Sequence, residues 1–193
     1  MNVKHNKADI IAGGEEVFRA NGYHNTGVKD ILDYCGISKG SFYNFFPTKE
    51  AYALEVIAYY GSRLTAFMQE TFADESKPAI ERLRTFYYYL VSVSESEACA
   101  KGCLVYNMAF EMAGQSDPVA QALDAQFEQW LVQVTACITQ GQQAGEIIKT
   151  QPADKLAAVL HTAVNGTYGR VKMKRDAEPM RQMIDTLLAF MSS

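Results

Sequence analysis

The chain has 193 residues, which is enough for one medium domain or for a small domain fused to a larger one. Hydrophobic residues make up 48% of it, but no apolar run approaches the ~18 residues that a membrane-spanning helix needs. The charged fraction of 21%, with 13 Gly and 5 Pro, excludes a disordered or low-complexity chain. We expect a cytoplasmic protein without a secretory signal or a membrane contact, in which the four cysteines remain thiols.

The formal net charge is −4, and it is unevenly distributed. Residues 1–50 hold six basic and six acidic side chains, so the negative excess lies in the remainder of the chain. An acidic protein binds nucleic acid poorly through its overall charge, so any DNA contact must come from a local surface.

Apolar residues recur at helical spacing along nearly the whole chain, which predicts an all-α fold. The first helix has an apolar stripe from Ile10 to Phe18 and ends at Asn21-Gly22, since both residues accept a left-handed cap. Gly13-Gly14 interrupts this stripe and should cost ~1 kcal/mol per residue relative to Ala. A short second helix, with Thr26 as its N-cap, ends at Gly36; its apolar positions are Val28, Ile31, Leu32 and Cys35.

A third short helix follows at once, with Ser38 as its N-cap and Pro47 as its end. Three phenylalanines are predicted to face inward, at positions Phe42, Phe45 and Phe46. The outward positions are then Lys39, Gly40, Ser41, Tyr43 and Asn44.

The remaining elements are longer helices. Thr48 restarts helix for about five turns, and the polar segment 73–78 is the clearest break. Further helical patterns cover about 78–96, 102–114, 118–141, 152–172 and 179–191.

Two short helices joined by a tight turn and packed on a preceding helix form the helix-turn-helix arrangement. Its second helix enters the DNA major groove, so its outward residues must be small, polar and able to reach base edges. Ser41 and Asn44 can hydrogen-bond to bases, the Tyr43 hydroxyl can donate to phosphate, and Gly40 permits a close approach.

The segment from Phe18 to Glu50 resembles the TetR family of ligand-controlled repressors, through Asn-Gly-Tyr, Asp-Ile, Gly-Ile-Ser-Lys-Gly-Ser-Phe-Tyr-Asn-Phe-Phe and Lys-Glu-Ala. The resemblance implies a DNA-binding domain at 1–50, joined by a long helix to a helical effector-binding and dimerisation domain at 51–193. It also implies a homodimeric repressor, not an enzyme and without a cofactor, that leaves a palindromic operator when a small-molecule effector binds. The expected DNA-contacting residues are Thr26, Lys29, Lys39, Gly40, Ser41, Tyr43, Asn44 and Lys49. Gly27 and Phe45 depart from the family pattern, which usually has Ser or Thr and a polar residue there.

The C-terminal part is rich in aromatic residues, which suits a pocket for a small, mostly apolar organic ligand. The predicted lining consists of Tyr87, Cys103, Tyr106, Asn107, Phe110, Phe127, Trp130, Tyr168 and Lys172.

Cys103 has a second possible role as a sensor of electrophiles or oxidants. It lies at the start of the predicted sixth helix, where aligned amides favour the reactive thiolate. The Gly-Cys-Leu opening, with Glu111 and Ala113 downstream, also resembles the NemR-like branch of the family, whose members sense such compounds through a cysteine here. Within that resemblance, Lys172 falls at the basic position that assists the thiol. Alternatively, Cys103 is a small, buried, apolar residue without a sensing role.

Two apolar faces on the last predicted helices indicate a twofold four-helix dimer interface. Its candidate residues are Leu156, Leu160, Ala163, Met183 and Leu187. Such a dimer reads two half-sites ~34–36 Å apart, or a multiple of that distance.

Rival functions are weaker. Gly36-Ile37-Ser38-Lys39-Gly40 matches the nucleophile elbow of serine hydrolases, but that elbow needs a preceding strand. Cys99 and Cys103 lack the further ligands of a metal site. A thiol-dependent enzyme that uses Cys103 remains the alternative from another class.

Overall fold

The computed structural model describes residues 6–192 and confirms the all-α fold. This part of the chain holds ten helices and one isolated β-bridge, between Ile147 and Ser192. The helices are α1 (Lys7–Asn21), α2 (Val28–Cys35), α3 (Lys39–Phe45), α4 (Lys49–Phe72), α5 (Ala79–Ser96), α6 (Leu104–Met112), α7 (Asp117–Ala144), α8 (Ala153–Gly166), α9 (Tyr168–Lys174) and α10 (Glu178–Met191).

Several predicted helix ends are confirmed by their capping geometry. Gly22 ends α1 with a φ of 82°, and Gly36 ends α2 in the left-handed conformation. The Ser38 side chain accepts the amide hydrogen of Ser41, as an N-cap does.

Two predicted boundaries are wrong. The predicted helix 152–172 is divided into α8 and α9, where the Thr167 hydroxyl donates to the Val164 carbonyl at 2.5 Å. The sixth helix begins at Leu104 instead of residue 102, because Cys103 has an extended backbone with φ −66° and ψ 127°. Cys103 is therefore the N-cap of α6 and not a residue of its first turn.

The chain forms two compact units. The first contains residues 6–63 and 103–126, and the second contains residues 64–102 and 127–192. In the first unit, α6 and the first part of α7 group with the N-terminal helices, while the domains at 1–50 and 51–193 stay a prediction. Sequence distance hides that grouping, since the two parts of each unit are separated by dozens of residues.

An aromatic cluster forms the core of the first unit. The ring of Tyr52 on α4 lies 5.2 Å from that of Phe42, 4.8 Å from that of Phe46 and 5.8 Å from that of Phe18. The buried Tyr52 hydroxyl donates to the Ile10 carbonyl of α1 at 2.6 Å. One side chain thus contacts α1, α3 and the segment that follows α3, so it fixes their relative positions.

Phe45 contacts only the edge of this cluster, with its ring 6.0 Å from that of Phe46, contrary to the prediction that it faces inward. Phe42 and Phe46 are fully buried, whereas Phe45 is 38% exposed. The helix α3 is only seven residues long, so its inner face is filled by Phe42, and Phe46 lies beyond its end in extended backbone.

The two glycines inside α1 permit close helix packing. A Cβ atom at Gly14 would lie 2.3 Å from the Tyr52 hydroxyl oxygen and 2.5 Å from a Val56 methyl carbon. A Cβ atom at Gly13 would lie 2.6 Å from the Cys35 sulfur on α2. The helix-propensity cost of Gly13-Gly14 is therefore offset by the contacts that α1 makes with α4 and α2.

The second unit is built around α5, α8 and α10. Helix α10 packs on both α5 and α8, and Leu83, Leu160 and Ile184 are fully buried there. Gly141 on α7 permits the close approach of Ile147 and Ala79, whose atoms would lie 2.6 Å and 2.8 Å from an added Cβ. None of the helices within residues 6–192 has the length and apolar character needed to cross a membrane.

We expect Gly14→Ala to destabilise the protein by about 1–3 kcal/mol, because a methyl group there overlaps with Tyr52 and Val56. Gly169→Ala on α9 is the control, since no atom lies within 4 Å of its added Cβ. That control should be neutral or stabilising by up to ~1 kcal/mol. Thermal and urea unfolding followed by circular dichroism measure both changes. Equal stability of the two variants would contradict the packing argument.

Candidate nucleic-acid interface and effector region

Local capping places α2 and α3 at a defined angle across a short turn. The Gly27 amide donates to the Asp30 side chain at 2.7 Å and so begins α2. Thr26 is not the N-cap, contrary to prediction; Gly27 takes that position. The left-handed Gly36 then ends α2, and Ser38 begins α3 two residues later. The turn joins two helices, so the Gly-x-Ser-x-Gly match has no strand before its serine.

The outer face of α3 carries the polar residues that the sequence predicts. Lys39, Gly40, Tyr43 and Asn44 are exposed, and Ser41 is half-buried with its hydroxyl 2.9 Å from that of Ser38. The Tyr43 ring is 43% exposed and packs edge-on against Phe42 from the core. The core thus holds α3 from one side and leaves a polar face on the other.

The charge of this face differs from that of the whole chain. Helix α3 contains no carboxylate, and Lys39 places its ammonium group 5.9 Å from the centre of the Tyr43 ring. Lys29 on α2 is also exposed. A surface of this kind can approach phosphates although the chain has a net charge of −4.

Two residues expected to contact DNA are instead engaged within the protein. Thr26 is fully buried, and its hydroxyl donates to the Gly22 carbonyl at 2.6 Å. The Lys49 ammonium group donates to the carbonyls of Tyr23 and Thr26 at 2.9 and 2.8 Å and lies 3.9 Å from the centre of the Tyr23 ring. Burial lowers the pKa of Lys49, although Glu111 and Asp30 act in the opposite direction. Both side chains hold the loop between α1 and α2.

The predicted effector residues fall in two different units. In the second unit, the rings of Tyr87, Phe127 and Trp130 lie 6.1, 5.5 and 5.9 Å from that of His161. Tyr168 is buried and Lys172 is half-buried, both on α9. In the first unit, Cys103 is buried, and Tyr106 and Asn107 are half-buried on α6.

Phe110 is not enclosed, contrary to the prediction that it lines a pocket. Its side chain is 90% exposed, because it points away from the α6 face that buries Val105, Met108 and Met112. Helical spacing alone did not separate this position from its buried neighbours.

His161 is a residue that the sequence analysis missed. It is buried among three aromatic rings, and its Nδ1 lies 3.2 Å from the Tyr87 hydroxyl. Its Nε2 has no hydrogen-bond partner among residues 6–192. Burial lowers the pKa of His161 to about 4, so the imidazole is neutral at pH 7. The only sequence signal for it was one histidine on the apolar face of a predicted helix.

The Cys103 thiol is buried at the N-cap of α6, and its role as a sensor stays a prediction. Complete burial raises its pKa, and this outweighs the hydrogen bonds of Tyr106, Tyr60 and Val105 and the charge of Arg19, all of which lower it. Cys99 belongs to the other unit, and no group of three metal-ligating side chains occurs within residues 6–192.

The predicted dimer residues are mostly at the surface of the second unit. Leu156, Ala163, Met183 and Leu187 are half-buried. Leu160 is fully buried within the protomer, contrary to its selection as a surface residue, so its side chain presents no surface to a second copy. On the same two helices, Val159 is 57% exposed and Phe190 is 74% exposed. Both are large apolar side chains, and Phe190 is one that the sequence analysis did not select.

The fold and the exposed polar face of α3 define a helix-turn-helix DNA-binding protein. Residues 10–56 match the description "Bacterial regulatory proteins, tetR family", and residues 79–187 match "Tetracyclin repressor-like, C-terminal domain". The chain therefore belongs to the TetR family of transcriptional regulators.

Individual relatives agree with this assignment. The chain is 33% identical over 175 residues to the HTH-type transcriptional repressor DhaR of Mycobacterium sp. (strain GP1), covering 91% of this chain and 86% of DhaR. It is 22% identical over 189 residues to the HTH-type transcriptional repressor NemR of Escherichia coli, covering 94% of this chain and 93% of NemR. A crystal structure of a regulatory protein TetR from Rhodobacter sphaeroides superposes with a TM-score of 0.90 at 27% identity, covering 95% of this chain and 97% of that one.

Lys39 on α3, the predicted DNA-reading helix, and Lys49 at the start of α4 should respond differently to substitution. We expect Lys39→Ala to reduce the slope of log affinity for DNA against log salt by about one, as loss of a phosphate contact does. Lys49→Met should leave that slope unchanged and lower the thermal midpoint, because Lys49 binds the loop carbonyls. Fluorescence anisotropy of labelled DNA at several salt concentrations measures the slope. An equal loss of slope in both variants would show that Lys49 contacts phosphate.

The buried histidine should make stability fall in acid. Because the folded pKa of His161 is below its ordinary value of 6.5, the unfolded chain takes up the proton first as pH decreases. The unfolding free energy should therefore decline by roughly 3 kcal/mol between about pH 6.5 and pH 4, relative to a His161→Phe variant. Urea titrations across this range measure the difference. Parallel pH profiles for the two proteins would be incompatible with a buried neutral imidazole.

Proposed function

We propose that this protein is a homodimeric, ligand-responsive transcriptional repressor that binds a palindromic operator and leaves it when a small organic effector binds. The observation that carries the proposal is the outer face of α3. It exposes Lys39, Gly40, Tyr43 and Asn44 and carries no carboxylate, while Phe42 anchors the helix to the core. A rigid helix of this kind is what major-groove reading requires.

Different residues of this face suit different parts of the DNA. Asn44 supplies an amide that both donates and accepts, which suits adenine, and Ser41 supplies a hydroxyl that suits several base edges. The Tyr43 hydroxyl and the Lys39 and Lys29 ammonium groups suit phosphate oxygens. Phe45, 38% exposed at the end of the helix, offers apolar surface to a thymine methyl group or a sugar.

The dimer is proposed to form through α8 and α10. These helices leave Val159 and Phe190 exposed and Leu156, Met183 and Leu187 half-exposed, although all are apolar. A second copy of the same face covers this surface by twofold symmetry, and the same symmetry makes the operator palindromic.

The effector is proposed to bind without a covalent bond. The second unit contains the aromatic group Tyr87, Phe127 and Trp130 around a neutral His161, which suits an apolar molecule with a hydrogen-bonding group. Covalent sensing at Cys103 is less favoured, because burial raises the pKa of its thiol. A coupling of ~1–3 kcal/mol between effector and operator, about 5- to 150-fold in affinity, is sufficient for release.

A gel shift with the DNA upstream of the protein's own coding region tests the proposed function. We expect the wild type to bind as a dimer and Tyr43→Ala to bind at least about tenfold more weakly, as loss of a hydrogen bond to a charged phosphate implies. Tyr34→Ala is the matched control, because Tyr34 is an exposed tyrosine on α2 rather than on the reading helix. Circular dichroism checks that both variants fold. Unchanged affinity of Tyr43→Ala, with the wild type bound, would refute this role of α3.

A further inference from the structure

The loop between α1 and α2 is held by a residue from a distant part of the sequence. The amide of His24 donates to the Glu111 carboxylate of α6 at 2.9 Å. The same histidine places its Nε2 3.2 Å from the Glu111 carbonyl. A single residue of α6 thus meets this loop through both its side chain and its backbone, across 87 positions of sequence.

The loop backbone is shaped to receive that carboxylate. Gly22 has a φ of +82°, and a Cβ atom there would lie 2.6 Å from Glu111 Oε1. A side chain at position 22 would therefore displace the carboxylate as well as strain the backbone. The space beside Gly22 and the amide of His24 together form a binding position for one carboxylate.

Lys49 completes this arrangement on the carbonyl side of the loop. Its ammonium group binds the carbonyls of Tyr23 and Thr26, while Glu111 binds the amide of His24 between them. The two opposite charges favour each other, since the Glu111 carboxylate raises the pKa of Lys49 against the effect of burial. The loop is thus bound by an anion at its N–H group and by a cation at its C=O groups.

The loop leads directly into the helix-turn-helix. Thr26 closes it through a hydrogen bond to Gly22, and Gly27 begins α2 at the next residue. A displacement of residues 22–26 therefore shifts the start of α2 and, through the short turn at Gly36, the reading helix α3.

Helix α6 also carries a buried cysteine of the same unit at its other end. Cys103 is its N-cap, is buried, and hydrogen-bonds to Tyr60 of α4. Glu111 lies eight residues further on, about 12 Å along the helix axis at 1.5 Å per residue. Cys103 and Glu111 thus lie near opposite ends of the same helix.

We propose that Glu111 is a positioning residue for DNA binding, whose carboxylate holds the α1–α2 loop in the geometry that α3 needs to read the operator. The proposal rests on the proposed function and names a residue on which operator binding depends.

The sign of the effect separates this role from simple electrostatics. Loss of one negative charge near the reading helix strengthens DNA binding if charge alone matters. Loss of the loop contact weakens it. We therefore expect Glu111→Ala to reduce operator affinity about tenfold, the size of one hydrogen bond to a charged group. Asp124→Ala is the matched control, because Asp124 is an exposed carboxylate on α7 in the same unit; its affinity should be equal to or slightly above that of the wild type.

Hydrogen exchange followed by mass spectrometry tests the contact itself without DNA. We expect the amides of residues 22–27 to exchange faster in Glu111→Ala than in the wild type or in Asp124→Ala. The milder Glu111→Gln variant should give intermediate exchange and affinity if Glu111→Ala proves poorly folded by circular dichroism.

Each outcome bears on a different claim. Unchanged exchange at residues 22–27 in the Glu111 variants overturns the proposed loop contact, whatever the DNA result. Faster exchange with unchanged operator affinity overturns the positioning role. Failure of the wild type to bind any operator overturns the proposed function instead, and the exchange data still decide whether Glu111 holds the loop.

Discussion

The DNA-binding unit depends on the close approach of α1 to α4 at Tyr52. The phenol ring fills the space between Phe18, Phe42 and Phe46, and its hydroxyl satisfies the carbonyl of Ile10. Only glycine at position 14 leaves room for that hydroxyl. The orientation of α3 follows from this contact, because Phe42 is the single fully buried residue that ties the short helix to the core.

A chain with a net charge of −4 can present a DNA-binding face because charge is distributed by position. Helix α3 has no carboxylate, and the nearby acidic residue Asp30 is used within the protein to cap α2. Lys49 has the converse role, since its charge is directed at loop carbonyls instead of at solvent. A charged side chain near α3 is therefore available to DNA only when it is not already bonded to other atoms of the protein.

The aromatic cluster around His161 illustrates a different constraint. Tyr87, Phe127 and Trp130 surround a histidine that burial keeps neutral, so the polar group in this apolar cluster carries no charge. Cys103 shows the same physics, because a helix N-terminus favours a thiolate only where burial does not outweigh it. Both residues have protonation states set by desolvation, which depends on neighbours that are distant in sequence.

The sequence by itself determined the elements and the reading helix. Apolar spacing predicted the helices, Gly22, Gly36 and Ser38 marked their ends, and the pattern of α3 predicted its exposed polar residues, because these depend on neighbours within one or two turns.

Tertiary structure decided the features that depend on distant neighbours. It exposes Phe45 and Phe110 and buries Leu160. It also makes Thr26 and Lys49 hold a loop, and it lets Gly13-Gly14 stabilise helix packing. It also brought Glu111 to His24 and aromatic rings to His161. Each of these depends on which side chain arrives from a remote segment, and local periodicity carries no information about that partner.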